Sequence, residues 1–365
     1  MRILFVTNHK YLPFRVGGSE SSTHELCSEL MKRNQDVAVL SNVLSNLTLR
    51  EWFSWKNLAN LLRRQRFSKD YIVGYPVYRG WLPAYRGRTL STGTSEIKRR
   101  FQPDIVIVQA GKPVVHAAAW EAVNVPVIIY LHDVDFRILG GDPRSLKYTR
   151  FISNSLFTAE RYREEFGIKS EVVLNIIDPD KYRIGREEKK VTFVNPWELK
   201  GAELAFQLAE RLPQIPFQFV EGWPMKDEHF QKVQSRINAS GNIKWVARTM
   251  DMRSVYKNTH ILLAPSQCEE AWGRVVAEAQ VNGIPVLASN RGGLPESVGQ
   301  GGVLIDANDV DQWVLELNRL WNDKEHYAKM SSEALTHALR DEIQPPAVVE
   351  KFIQIMLEVR EETGL

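Results

Sequence analysis

The 365-residue sequence is poor in cysteine and contains no long apolar run. Its two cysteines, Cys27 and Cys268, cannot build a disulfide framework or a cysteine-rich metal site, which is typical of a protein in a reducing compartment. No stretch approaches the roughly eighteen apolar residues that a transmembrane helix needs. The first residues, MRILFVTN, turn polar after a short apolar run and therefore predict a β-strand instead of a signal peptide. We expect a cytoplasmic protein.

The glycine pattern of dinucleotide-dependent dehydrogenases, GxGxxG, is also missing. The sequence has instead Gly17-Gly18, which lies between the first predicted strand and a predicted helix. Glycines let the backbone approach a phosphate or a sugar closely. The pair is therefore a weak indication of a donor or phosphate site. Because GxGxxG is missing, a dinucleotide-dependent dehydrogenase loses its main support.

The net charge of +3 is distributed unevenly along the chain. Residues 1–180 hold 25 lysines and arginines against 18 acids, whereas the remainder holds 22 against 26. A basic half can attract an anionic acceptor or the surface of a membrane, although a solvated basic face explains the same excess. Within it, the segment 47–66 has tryptophans and leucines on one helical face, so it is either an interfacial amphipathic helix, a lid or a packed insert. We expect no nucleic-acid partner.

Apolar runs alternate with helical patterns in both halves of the sequence. Runs such as DIVIVQA and VPVIIYLH are almost entirely apolar, as expected for strands buried on both faces of a parallel sheet. The alternation starts again after NIIDPDKYRIGREEKK, a polar segment that predicts a hinge. We predict two doubly wound, Rossmann-like α/β domains, 1–175 and 185–343, that face each other across a ligand-binding cleft. The last helix, 346–365, is expected to pack back on the first domain.

Two glutamates, Glu270 and Glu278, stand eight positions apart around the start of a predicted helix. The helix is expected to begin near Gly273, so that Glu278 lies on it and Glu270 lies in the preceding loop. Ionised carboxylates only accept hydrogen bonds, and each can accept two from the vicinal diol of a sugar. The amides of Gly273, Arg274 and Val275 at the helix start could receive a diphosphate.

A lysine follows the first predicted strand of the second half. Lys200-Gly201 closes the loop after KVTFVN and opens a helix. As a point charge, Lys200 could neutralise a departing diphosphate. An ordinary surface lysine would fit the same position equally well.

Taken together, these features resemble the retaining glycosyltransferases of family 4, which have the two-domain GT-B fold. The most specific part is the pattern E-x-x-G-x-x-x-x-E-A preceded by Pro-Ser, and it continues through GIPVLAS to GGLPE. The residues of this pattern are Pro265, Ser266, Glu270, Gly273, Glu278, Ala279 and, in GGLPE, 292–296. Further matches are Gly17-Gly18, His132 in YLHD, and Asn175 with Asp178, between which the family's glycine is replaced by Ile176.

The resemblance implies roles for these residues. Glu278 would hold the ribose diol, and Glu270 would hold hexose hydroxyls beside the reacting carbon. Gly18 and Lys200 would address the diphosphate, and His132 would contact the donor sugar. The expected catalytic residues are therefore Glu270, Lys200 and His132, and the expected donor-binding residues are Gly17, Gly18, Asn195, Arg248, Gly273, Arg274, Val275, Glu278 and Gly293.

One position departs from the family pattern. The family usually has an arginine five positions before the lysine, where this sequence has Asn195. The leaving group therefore lacks one expected cation. Arg248, after the predicted strand IKWVA, or Arg274, at the helix start, could replace it.

The implied function is transfer of a hexose from a nucleoside diphosphate sugar to an acceptor hydroxyl of a glycan, a glycolipid or a small glycoside. Retention without an evident nucleophilic carboxylate favours internal return, in which the departing phosphate takes the acceptor's proton. We expect no cofactor and no metal, since Asp133-Val134-Asp135 is read as a chance D-x-D triplet. The alternatives are a non-hydrolysing nucleotide-sugar 2-epimerase and a non-catalytic sugar-nucleotide-binding protein.

Overall fold

The computed structural model divides into two compact units, each built around one sheet. Nearly all of the segment 47–66 lies outside the described residues, which are 1–42, 65–80, 90–187, 189–225 and 227–364. The first unit comprises 1–154, 158–174 and 345–365, and the second comprises 155–157 and 175–344.

The first unit contains an eight-stranded sheet among its described residues. Its strands are β1 (Arg2–Thr7), β2 (Asp36–Ser41), β3 (Phe67–Asp70), β4 (Val77–Gly80), β5 (Ile105–Val108), β6 (Val127–Leu131), β7 (Thr149–Ser153) and β8 (Glu171–Val172). Their order is β3-β4-β2-β1-β5-β6-β7-β8, and each pairing is parallel except that of β3 with β4. The side chains of β5 and β6 are almost completely buried, which explains their continuous apolar sequences.

Helices flank this sheet, and the C-terminal helix is one of them. The helices are α1 (Gly18–Lys32), α2 (Thr94–Phe101), α3 (Pro113–Glu121), α4 (Leu156–Phe166) and α13 (Pro345–Thr363). Helix α13 begins at Pro345 because proline, which has no N–H and a fixed φ, is well accepted in a first helical turn. The ring of Phe352 lies 6.3 Å from that of Phe5 on β1 and 5.9 Å from that of Tyr130 on β6. The last helix therefore packs on the sheet that begins the chain.

The second unit contains a six-stranded sheet in which all pairings are parallel. Its strands are β9 (Lys190–Val194), β10 (Phe217–Val220), β11 (Ile243–Val246), β12 (Thr259–Ala264), β13 (Val286–Ser289) and β14 (Gly302–Ile305). Its helices are α5 (Pro179–Tyr182), α6 (Ala202–Arg211), α7 (Asp227–Ser240), α8 (Arg253–Tyr256), α9 (Arg274–Gln280), α10 (Leu294–Val298), α11 (Val310–Asn322) and α12 (Lys324–Ala338). The prediction of two doubly wound, mainly parallel α/β sheets is confirmed.

The strand order of the second sheet, β11-β10-β9-β12-β13-β14, has a topological switch point. Successive strands run outward from β9 on one side and from β12 on the other. The loops after β9 and β12 therefore diverge at the carboxyl edge, where open α/β sheets bind their ligands. This edge is where the sequence placed Lys200 and Glu270.

Candidate functional site

The switch point of the second unit brings Lys200 and Glu270 together. Lys200 ends a single 3₁₀ turn after β9, and Glu270 lies in the loop after β12. Lys200 Nζ donates a hydrogen bond of 2.6 Å to Glu270 Oε1, and Ser266 Oγ donates another of 2.5 Å to the same oxygen. The lysine and glutamate side chains remain 20% and 18% exposed. The carboxylate is thus fixed through one oxygen, while the ion pair stays accessible to a ligand.

Gly201 explains how the two loops can approach so closely. Its φ of +86° is a left-handed conformation that residues with a Cβ rarely adopt. A Cβ at this position would also lie only 1.9 Å from the carbonyl oxygen of Pro265, in the loop after β12. The glycine after Lys200 is therefore required by backbone conformation and by contact, and it places the lysine beside the glutamate's loop.

A second close backbone contact supports Glu270 from the loop after β13. Gly293 N–H donates a hydrogen bond of 2.7 Å to the carbonyl oxygen of Glu270. Gly292 has a φ of +60°, and a Cβ there would lie 2.6 Å from the Glu270 nitrogen. A Cβ on Gly293 would lie 2.4 Å from the carbonyl oxygen of Ala271. The two glycines of GGLPE thus hold the backbone of Glu270, and donor binding by Gly293 stays a prediction.

Glu278 lies on α9, as the sequence predicted, and both of its carboxylate oxygens are engaged by protein groups. Oε1 accepts a hydrogen bond of 2.7 Å from Arg274 Nε, and Oε2 accepts one of 2.8 Å from the Tyr256 hydroxyl. The Glu278 side chain is only 7% exposed. Burial, together with the neighbouring Glu278 carboxylate, keeps the pKa of Tyr256 well above its ordinary value, so that Tyr256 acts as a neutral donor.

Arg274, which the sequence offered as a replacement for the family arginine, is buried. Its guanidinium donates to Glu278 through Nε, to the Ile176 carbonyl through Nη1 at 2.9 Å, and to the Tyr182 hydroxyl through Nη2 at 2.7 Å. The side chain is 6% exposed. All three nitrogens of the guanidinium therefore have protein acceptors, and binding of a diphosphate by Arg274 stays a prediction.

Asn195, which stands where the family has arginine, ties two loops together. It adopts a left-handed φ of +66°, which asparagine tolerates better than most residues. Its Oδ1 accepts a hydrogen bond of 3.0 Å from the Trp223 N–H, in the loop after β10. The residue is buried. Its side chain therefore supports the loop conformation and supplies no positive charge.

Arg248, the other candidate cation, is exposed at the carboxyl end of β11. Its N–H donates a hydrogen bond of 3.3 Å to Glu221 Oε2, after β10. Since β11 is at the edge of the sheet, two strands from β9, its guanidinium starts farther from the switch point than Lys200 does. Binding of the diphosphate by the Arg248 guanidinium stays a prediction.

Gly273 immediately precedes α9, and Val275 belongs to its first turn. Gly273 has a φ of +96°, and a Cβ there would lie 2.7 Å from Leu294 Cδ2. Gly273 is thus required by its backbone conformation and by packing, independently of the donor binding that the motif implies. Val275 is half-buried and packs against the apolar core beneath α9. Helix α9 has seven residues, and diphosphate binding by its first amides stays a prediction.

The remaining predicted residues lie in the first unit. Gly17 precedes α1 with an extended φ of −161°, so its conformation does not require glycine. Gly18 is the first residue of that helix. His132 follows β6, and its ring centroid lies 4.0 Å from that of Tyr130. The roles assigned to these three residues stay predictions.

Three aromatic residues that contact the site were missed by the sequence analysis. Tyr256 and Tyr182 bind Glu278 and Arg274, and the ring centroid of Trp223 lies 5.3 Å from Lys200 Nζ. None of the three stands at a sequence spacing from Glu270, Glu278 or Lys200 that would indicate a contact. Only the packing of α5, α8 and the loop after β10 brings them there.

The described residues contain no cluster of three or more potential metal-ligating side chains. Asp135 of the D-x-D triplet instead forms an ion pair of 2.8 Å with Arg137, whose hydrogen bonds lower the pKa of that carboxyl. Within the described ranges, each helix is too short or too polar to cross a lipid bilayer.

Comparison with known proteins places the chain in a family. Residues 176–337 match the family described as Glycosyl transferases group 1, and residues 16–181 match Glycosyltransferase Family 4. The two matches overlap at residues 176–181 and together span residues 16–337. The chain belongs to the group 1 glycosyltransferases, with the GT-B fold.

Two curated relatives share part of the sequence. The D-inositol 3-phosphate glycosyltransferase of Corynebacterium kroppenstedtii is 38% identical over 92 residues, which are 25% of this chain and 20% of that protein. The enzyme of the same name from Mycobacterium marinum is 30% identical over 165 residues, 42% of this chain and 35% of that protein. The alignments thus span well under half of these relatives.

Two solved structures resemble almost the whole chain. Anabaena HepE, in its complex with UDP-glucose, aligns with a TM-score of 0.77 at 17% identity and covers 98% of this chain and 100% of that chain. A glycosyltransferase from Rickettsia africae aligns with a TM-score of 0.74 at 15% identity and covers 98% of both chains. At such low identities the likeness establishes the fold alone.

Proposed function

We propose that this protein is a retaining, metal-independent glycosyltransferase that moves a hexose from a nucleoside diphosphate sugar to an acceptor hydroxyl. The observation that carries the proposal is the arrangement of Lys200, Glu270 and Ser266 at the switch point of the second sheet. Membership of the family and the UDP-glucose bound by Anabaena HepE support the choice of donor.

The free capacity of the Lys200–Glu270 pair suits a sugar diphosphate. Glu270 Oε1 already accepts two hydrogen bonds, so Oε2 is the oxygen available to hexose hydroxyls. Lys200 has two N–H donors beyond the one that bonds Glu270, and these can receive the diphosphate. The Trp223 ring, whose centroid lies 5.3 Å from Nζ, adds a cation–π contact with the ammonium. A cation fixed in advance is the kind of group that stabilises charge developing on a leaving group.

We assign the following reaction to these residues. The bond between the anomeric carbon and the phosphate oxygen breaks, and negative charge develops on the diphosphate beside Lys200. The acceptor oxygen bonds to the anomeric carbon on the same face, and its proton passes to the departing phosphate oxygen. Catalysis then depends on positioning and on electrostatic stabilisation.

Gly17, Gly18 and His132 are assigned to the donor by the family motif, together with Glu278 at the ribose. The acceptor is a hydroxyl compound, and the inositol phosphate named for the corynebacterial relatives belongs in any acceptor panel. The basic excess of the first half favours an anionic acceptor or a membrane-surface glycolipid, in a cytoplasmic setting.

The proposal is tested by binding and then by transfer. UDP-, GDP-, ADP- and dTDP-sugars are compared by thermal stabilisation, since a ligand at about 100 times its Kd adds roughly 2.7 kcal/mol. The best donor is then incubated with acceptors in the presence of EDTA, and the anomeric configuration of the product is read by NMR. Failure of every donor to stabilise the protein would refute the proposal. An inverted product would refute retention, and turnover abolished by EDTA would refute metal independence.

Substitution of Glu270 provides the residue-level test. Glu270→Gln removes the charge but not the shape, and we expect it to abolish most of the transfer. Glu269→Gln is the matched control, because Glu269 is the adjacent residue of the same loop and is exposed. Equal activity of the two variants would contradict the role assigned to Glu270.

A further inference from the structure

We infer that Arg274 is a positioning residue of the donor site, which orients the Glu278 carboxylate and balances its charge. This inference rests on the proposed function, because the orientation of Glu278 matters only if that carboxylate binds the ribose of a nucleotide. It assigns Arg274 a different role from direct contact with the diphosphate.

Three hydrogen bonds fix the guanidinium in one orientation. Its Nε, Nη1 and Nη2 each have a different acceptor, at 2.7, 2.9 and 2.7 Å, on Glu278, Ile176 and Tyr182. The last two acceptors belong to the segment by which the chain enters the second unit, just before and within α5. The guanidinium thus anchors the glutamate to residues that lie 98 and 92 positions before Arg274 in the chain.

The carboxylate is held from its other side as well. The Tyr256 hydroxyl donates to Oε2, whereas Oε1 accepts from Arg274 in the salt bridge, so that each oxygen of Glu278 is bound by a protein donor. The side chain is therefore held in one orientation from two sides and cannot rotate away from the place assigned to the ribose.

The charge of Arg274 matters because a nucleoside diphosphate is itself an anion. A buried carboxylate without a partner is costly, and it would repel a diphosphate bound nearby. The ion pair with Arg274 cancels that charge, just as Lys200 pairs with Glu270. Lysine could restore the charge but could not reach three acceptors in one plane, because it lacks the fork geometry of arginine.

The test measures the preference for ribose over 2′-deoxyribose, which depends on Glu278 directly. Kd values are determined calorimetrically for UDP, GDP and ADP and for the 2′-deoxy form of each, using wild type, R274M and R274K. A charge-assisted hydrogen bond contributes enough for about a tenfold preference or more in the wild type. We expect both variants to lose most of that preference, mainly through weaker binding of the ribonucleotide, and E278Q to lose it as well.

Arg79→Met is the matched control for the loss of a buried arginine. Arg79 lies in the first unit, where its guanidinium bonds Asp70 and the carbonyl oxygens of Tyr11 and Leu12. We expect R79M to lower the Tm but to leave the ribose preference unchanged. If R274M does not fold, Y182F and Y256F each remove one hydrogen bond from the network and should lower the preference partially.

The outcomes separate the inference from the proposed function. Wild type that binds none of the ribonucleotides would refute the proposed function and this inference together. Wild type that binds without a ribose preference would overturn the inference and the ribose role of Glu278, but not the transfer of a hexose. Folded R274M, or folded Y182F and Y256F, that weaken both members of a nucleotide pair equally would overturn the inference alone.

Discussion

Lys200 Nζ lies 2.6 Å from Glu270 Oε1, although 70 positions separate the two residues in the sequence. They meet because β9 and β12 are neighbours in the sheet and both loops leave its carboxyl edge. Ser266 completes the arrangement, and glycines at 201, 292 and 293 allow the loops to touch. The pair is therefore a product of strand order and close backbone packing.

Replacement of Lys200 by methionine should lower kcat by about 10²–10³ and change the donor KM less, because a fixed cation mainly stabilises the developing charge of the leaving group. Steady-state kinetics with the best donor measure the effect. Lys232→Met is the control, since that lysine side chain on α7 is 71% exposed. A normal kcat in the Lys200 variant would remove the lysine from the mechanism.

Gly201→Ala should destabilise the second unit by at least about 2 kcal/mol. The left-handed conformation alone costs alanine roughly 1–2 kcal/mol, and the new methyl group would also overlap the Pro265 carbonyl oxygen. Urea unfolding measures the change. Gly185→Ala is the control, because a Cβ at Gly185 meets nothing within 4 Å. Equal stability of the two variants would mean that the loops after β9 and β12 are not packed as described.

Gly292→Ala should lower the kcat of transfer in addition to stability, because its methyl group would displace the backbone that carries Glu270. Gly74→Ala is the control, because it has the backbone strain of a positive φ, +90°, without steric overlap: a Cβ there would meet nothing within 4 Å. We expect both variants to lose stability and only Gly292→Ala to lose kcat. The two are compared by thermal unfolding and by turnover. Normal turnover of Gly292→Ala would contradict the support of Glu270 by this loop.

Stability should fall as the pH falls below about 6.5, and His116 on α3 should be one cause. Burial, and secondarily the charge of Lys112, lower the pKa of His116 from its ordinary 6.5 to about 4. Between these two values the unfolded chain binds a proton that the folded chain does not, so acid favours unfolding. At pH 5 the loss relative to pH 7 is roughly 2 kcal/mol.

His116→Gln measures this contribution. Its Tm should fall less than that of the wild type between pH 7 and pH 5, even if the variant is less stable at pH 7. Parallel pH profiles of the two proteins would show that His116 does not titrate differently in the folded state.

Much of the fold could be predicted from the sequence, because a strand that is buried on both faces of a sheet has a continuous apolar sequence. β5 and β6 are apolar at almost every position. The polar segment near residue 180 separates the strands of the first unit from those of the second. The glutamates at 270 and 278 were likewise placed correctly in a loop and on a helix, since a helix start depends on neighbouring residues. The C-terminal helix was predicted from its apolar pattern after Pro345-Pro346.

Only the tertiary structure decided which groups these acids contact. The sequence offered Arg274, at the helix start, as a cation for the leaving group, and gave no sign that the folded chain would bury it against Glu278, Ile176 and Tyr182. It likewise gave no sign that Tyr256 would bind Glu278 or that Asn195 would support a loop. Spacing along a chain records which residues are buried, because that depends on the periodicity of one element. Which charges meet depends on the order of strands and the packing of distant helices, and no local pattern records it.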